Sequence, residues 1–135
     1  GYKRTKGGNK MRKYLYCENG FVEKPQWMPN CWVNVECPDK SDFDFLTKDL
    51  KVPESFLEDI ADVDERPRTD TEENWLLTII RIPLQQQGSI PYTTIPIGII
   101  TNNEIIVTIC YHSTEMIATC LFAVGIRLFF DKSKQ

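Results

Sequence analysis

Three carboxylates crowd one short stretch of this chain: Asp62, Asp64 and Glu65. Carboxylate oxygens are natural ligands of hard divalent cations, and Mg²⁺, which keeps several waters, needs only one or two of them. The trio is therefore a candidate metal site. With a metal-activated water it would also be a candidate hydrolase centre. The plainer reading is a solvated loop in which Arg66 and Arg68 partner their acidic neighbours.

Other reactive groups point away from catalysis. His112 is the single histidine, and although Ser113 follows it, no spacing supplies a base, a nucleophile and an orienting acid together. The cysteines Cys17, Cys31, Cys37, Cys110 and Cys120 are odd in number and include no C-x-x-C pair. A zinc cluster is therefore not indicated, and the thiols read as small apolar core residues of a reducing compartment. Cys110, ending a strand, reads as core and not as a nucleophile. Pro38-Asp39-Lys40 is a fragment of a nuclease-like site and no more. Trp27, Trp32 and Trp75 read as core and rim, with Trp27 a possible partner anchor. There is no glycine-rich phosphate loop and no G-x-S-x-G elbow. The chain does not read as an enzyme.

Composition sets the frame for these groups. The 135 residues, 41% hydrophobic and 26% charged, suit one globular domain. A net charge of −3 argues against a nucleic-acid binder. No apolar run reaches the length of about 18 residues that spans a membrane; the longest, 116–130, is interrupted by Thr119 and Arg127. Residues 1–10 are basic and unpatterned, and read as a flexible tail or an expression remnant preceding a single domain over 11–135. Residues 39–73 hold thirteen acids and five bases, a balance of −8.

The elements that must carry these residues follow from periodicity. Arg12–Tyr16 and Phe21–Lys24 flank Asn19-Gly20, the strongest short hairpin signal. Cys31–Glu36 alternates as a third strand. Ser41 with Asp44 resembles a capping box, and Phe43, Leu46 and Leu50 predict an amphipathic helix over 42–50. Pro53 suits the first turn of a second helix, whose apolar stripe is Phe56, Leu57 and Ile60. From Asp62 to Asn74 no apolar period exists, which predicts a long polar connection. Trp75–Ile82, Tyr92–Ile100 and Glu104–Cys110 read as an antiparallel meander turning at Gln85-Gln86-Gln87-Gly88 and at Asn102-Asn103. Leu76, Ile80, Ile97, Ile99, Val107 and Ile109 are its expected core. Residues 116–130 read as a helix too apolar for one face, hence a contributor to self-association.

A family pattern runs through the middle of the chain. Leu57-Glu58-Asp59-Ile60, Val63, Arg66-Pro67 and Glu73-Asn74, followed by the apolar strand from Trp75, resemble the cytosolic N-terminal domain of CorA-type magnesium transporters. The likeness continues through Ile97-Gly98-Ile99-Ile100 and through Thr101-Asn102-Asn103 ahead of Val107-Thr108. It covers residues 11 to 117.

The resemblance implies an α/β (α+β) fold, an αβα sandwich around a mixed, largely antiparallel sheet. It also implies the regulatory cytosolic part of a homopentameric divalent-cation transporter on the cytoplasmic side of the cell membrane, with Mg²⁺ bound between subunits holding the pore closed. Conduction in that family belongs to two transmembrane helices and a Gly-Met-Asn loop. This sequence contains neither, so the chain reads as an excised domain whose C-terminal part is incomplete. The family's sensing acid lies in the connection after the first buried strand; here 83–92 holds Gln85, Gln86 and Gln87 and no carboxylate. The alternatives are a stand-alone ligand-binding or interaction domain and a metal-dependent hydrolase.

Overall fold

The computed structural model describes residues 12–84 and 93–112. The N-terminal hairpin forms where the sequence places it. Asn19 and Gly20 take left-handed φ angles of 59° and 107°, conformations that Asn and Gly tolerate best. They join β1 (Arg12–Cys17) to β2 (Phe21–Lys24). On its other side β1 pairs antiparallel with β3 (Trp32–Glu36).

The chain leaves β3 through Cys37, also at positive φ, and enters α1 (Lys40–Asp44). The cap differs from the predicted one. Asp39, not Ser41, is the N-cap: its carboxylate accepts from the Asp42 N–H at 2.9 Å, and the Asp42 carboxylate accepts from the Asp39 N–H at 3.0 Å. Pro38 ends the strand, so the first acid after it already has the extended backbone that a cap requires. The helix predicted over 42–50 accordingly starts earlier, and it widens into a π-helical turn, Phe45–Asp49. Arg12 reaches across from β1 to this segment, with Nη1 3.2 Å from Asp42 Oδ1 and its guanidinium carbon 4.5 Å from the centre of the Phe45 ring.

Helix α2 (Glu54–Ala61) forms as expected, with Phe56, Leu57 and Ile60 buried; Pro53 is its N-cap and not part of its first turn. The polar connection 62–74 contains a strand the sequence hides. β4 (Arg68–Glu72) pairs antiparallel with β5 (Trp75–Leu84). It is an edge strand with no buried side chain, so it needs no apolar alternation; backbone pairing with β5 and the ion pairs of Arg68 hold it. β5, β6 (Thr93–Thr101) and β7 (Ile106–Cys110) form the expected antiparallel meander.

The described strands make one seven-stranded sheet in the order β2-β1-β3-β7-β6-β5-β4, antiparallel except for the central β3–β7 pair. This is the mixed, largely antiparallel sheet of an α+β fold. One face packs under the helices: Val33, Val35, Leu77, Ile79, Val107 and Ile109 meet Leu46, Phe56 and Ile60. The opposite face carries a second buried cluster built on Trp32, Ile97, Ile106 and Cys110. Both faces are thus removed from water, as an αβα sandwich requires.

Of the six expected core residues, Ile97, Ile99, Val107 and Ile109 are buried. Leu76 and Ile80 correct the expectation: Leu76 is 39% exposed and Ile80 half-buried, while Leu77 and Ile79 take the helix-facing places. A continuous apolar run conceals the two-residue period of a strand. Between the central strands two hydrogen bonds are buried: Trp32 Nε1 donates to Thr108 Oγ1 (2.8 Å) and the Thr108 hydroxyl donates to Asn34 Oδ1 (2.9 Å), while Asn34 Nδ2 donates along β3 to the half-buried Glu36 Oε2 (3.1 Å). The basic tail at 1–10, the turn at 85–88 and the helix expected over 116–130 lie outside the described residues.

Candidate functional site

The acidic loop begins where α2 stops. The Asp62 N–H closes the last turn onto the Asp59 carbonyl, and Asp62 Oδ1 accepts from the Asp64 N–H at 2.9 Å. Asp62 and Asp64 are exposed. Glu65 is engaged otherwise: its Oε1 accepts from Arg68 Nε at 3.0 Å and from the Arg66 N–H at 3.2 Å. The hydrogen bond from Arg68 holds the Glu65 carboxyl below its ordinary 4.5.

Arg68 is the hub of this corner. Besides Glu65 it meets Asp59 at 2.6 Å and Asp70 at 3.4 Å. Of the acids open to an arginine of the Arg66-Pro67-Arg68 turn (Asp59, Asp62, Glu72 and Glu73), Arg68 takes Asp59. Arg66 and Pro67 themselves are exposed. A second guanidinium fixes the loop from the sheet side: Arg81 Nη1 donates to the carbonyls of Val63 and Glu65, both at 2.8 Å, and its Nε and Nη2 bond Thr94. Among the described residues no group of three His, Cys, Asp or Glu side chains is placed to hold a metal ion.

The other motif residues divide between core, turn and surface. Leu57 and Ile60 are buried, and Glu58 is exposed. Ile60 lies against Gly98 of β6. Glu73 and Asn74 make the turn between β4 and β5, Glu73 at a φ of 56°. Asp39 and Lys40 serve the helix, Asp39 as cap and Lys40 as partner of Asp44 at 3.1 Å, so the nuclease-like fragment has no site around it.

Burial pushes the Cys110 thiol up to about 11, which makes it a core residue and no nucleophile. Cys31 is buried too, whereas Cys37 is exposed, against the expectation for all the cysteines. His112 is half-buried, its Nδ1 without a hydrogen-bond partner. Trp75 and Trp32 are buried in the two clusters, one on each face of the sheet, and Trp27 packs half-buried against the cluster that holds Trp75. What sequence reasoning missed is a groove between the α1 segment and α2, lined by Phe43, Thr47, Leu57, Ala61 and Tyr111 with the charged Asp44, Lys48, Glu54 and Glu58 beside them. Its walls come from separate elements, so no local motif announces it.

Fold and motif corner together can be set against known proteins. The sequence profile of the family described as "CorA-like Mg2+ transporter protein" matches residues 29–132. The chain belongs to the CorA-like family. Solved structures agree with this assignment. The complete CorA magnesium transporter of Methanocaldococcus jannaschii superposes with a TM-score of 0.68 at 19% identity, over 88% of this chain and 38% of that one. The soluble domain of CorA from the same organism gives a TM-score of 0.55 at 26% identity, over 73% of this chain and 37% of that one. The ZntB cytoplasmic domain of Vibrio parahaemolyticus gives 0.61 at 14% identity, over 84% and 49%. The CorA-like chain thus spans less than half the length of these structures. No curated protein matches its sequence. Among the described residues no helix is long and apolar enough to cross a membrane.

Proposed function

We propose that this chain is the cytosolic, regulatory domain of a divalent-cation transporter, standing on the cytoplasmic side of the cell membrane and assembling as a homopentamer beneath its own transmembrane part. The observation that carries this reading is the family match over 29–132, supported by superposition on the soluble domain of CorA. In this reading the domain positions and gates a pore that it does not itself line.

Mg²⁺ is the ion first in view, both as cargo and as regulator. Within one chain, Asp62 and Asp64 are the carboxylates left to meet it, since Glu65 is held by Arg68. Two exposed carboxylates on a solvated loop make a weak site, which fits a regulatory ion completed by a neighbouring subunit. The test is ion flux. The parent protein, reconstituted in vesicles loaded with a Mg²⁺-sensitive dye, should admit Mg²⁺, and deletion of residues 29–112 should change how internal Mg²⁺ limits that flux. A parent protein that admits no divalent cation would overturn the transporter reading. Unchanged Mg²⁺ inhibition after the deletion would overturn the regulatory one.

A further inference from the structure

The groove between α1 and α2 has a volume of about 310 Å³, the lower end of what small-molecule sites occupy. Its floor is apolar and aromatic. Phe43 and Tyr111 stand with ring centres 6.3 Å apart and tilted by 35°, and the Tyr111 hydroxyl is fixed by donating to the Leu57 carbonyl at 3.3 Å. Leu57 and Ala61 complete the floor from α2.

The two walls differ in charge. On the α1 side Asp44 is neutralised by Lys40 at 3.1 Å and Lys48 at 3.5 Å. On the α2 side Glu54 and Glu58 are both exposed, and no described cation pairs with either. They stand four residues apart on one helix face, a spacing at which like charges repel. The groove therefore offers an apolar trough bordered on one side by the paired Asp44 and Lys48 and on the other by Glu54 and Glu58.

We propose that this groove binds an aliphatic polyamine. Methylene segments would cover Leu57, Ala61 and the two rings, and the ammonium groups would pair with Glu54 and Glu58, one of them within reach of a ring face. A hydrated Mg²⁺ ion does not match such a trough: it seeks oxygen ligands and gains nothing from an apolar floor. The site is separate from the acidic loop at 62–65 and does not depend on the transporter reading.

The test is calorimetric titration of the 135-residue chain with spermidine, repeated with MgCl₂ at equal ionic strength. One spermidine should bind per chain. Glu54→Gln with Glu58→Gln should weaken binding about tenfold, the scale of two partly exposed ion pairs. The charge-matched control Glu23→Gln with Glu104→Gln should leave it unchanged. Ala61→Lys, which tethers an ammonium in the trough, should block it while circular dichroism reports the native fold. Absence of spermidine binding, equal weakening by both double variants, or spermidine binding undiminished in Ala61→Lys would overturn the proposal.

Discussion

Ile60 of α2 lies directly over the bare Cα of Gly98 in β6. A Cβ built on Gly98 would run into the Ile60 side chain, and Ile60 is fully buried. Helix and sheet approach this closely because one position on β6 has no side chain.

Gly98→Ala should therefore destabilise the domain by about 1–3 kcal/mol, the usual cost of overpacking a filled core. Ile60→Ala in the same chain should recover part of that loss, giving a non-additive double-mutant cycle. Denaturant midpoints of the four proteins measure it. Strictly additive losses would show that the two residues do not share this space.

Thr108→Val keeps shape but removes the hydroxyl that accepts from Trp32 and donates to Asn34. Both bonds are buried, so the substitution should cost about 1–3 kcal/mol. A stability change within error would mean that the polar chain contributes nothing net.

Glu73 holds a left-handed φ of 56° in the turn between β4 and β5. Glycine takes this conformation without a Cβ penalty. Glu73→Gly should raise stability by up to about 1 kcal/mol, read as a higher melting temperature. A lower one would place an unseen role on the Glu73 side chain.

Acid should loosen the corner that Arg68 organises. The Glu65 carboxyl is held below its ordinary 4.5 by the Arg68 hydrogen bond. A carboxyl depressed in the folded state contributes stability above its unfolded value, and that contribution is lost as pH falls through the folded value. Stability should decline from about pH 4.5 downward, and Arg68→Gln should flatten that slope. Parallel slopes for both proteins would remove Glu65 from the account.

Titration of the isolated chain with Mg²⁺ should show no tight site, because Asp62 and Asp64 stand exposed and Glu65 is occupied. A micromolar site abolished by Asp62→Ala with Asp64→Ala would restore a complete metal centre to this loop.

The elements legible in the sequence are those whose side chains are sorted by burial or whose turn chemistry is specific. Asn19-Gly20 announced its hairpin, and the stripe Phe56, Leu57, Ile60 announced α2. β4 was illegible because Arg68–Glu72 buries no side chain and so leaves no apolar alternation in the sequence. The cap slipped from Ser41 to Asp39 because several acids follow Pro38, and only backbone conformation chooses among them. At the candidate site, the link from the Arg66-Pro67-Arg68 turn to Asp59 could be read from opposite charges close in sequence. The hold of Arg81 on the carbonyls of Val63 and Glu65 could not, since backbone acceptors leave no mark on residue types.

The single parallel pair, β3 with β7, has a kinetic consequence. The hairpin strands β1–β3 and the meander β4–β7 are each assembled from near neighbours in sequence. Within the sheet they are joined by the pairing of Trp32–Glu36 with Ile106–Cys110, in which Asn34 meets Thr108, 74 positions later. Closing so large a loop costs more chain entropy than closing the hairpin or the meander, so this union is the expected late step of folding. On the ribosome β3 waits with one edge unpaired until β7 emerges. A nascent chain halted before residue 106 would carry an open strand edge, the feature that most readily recruits other chains into aggregates.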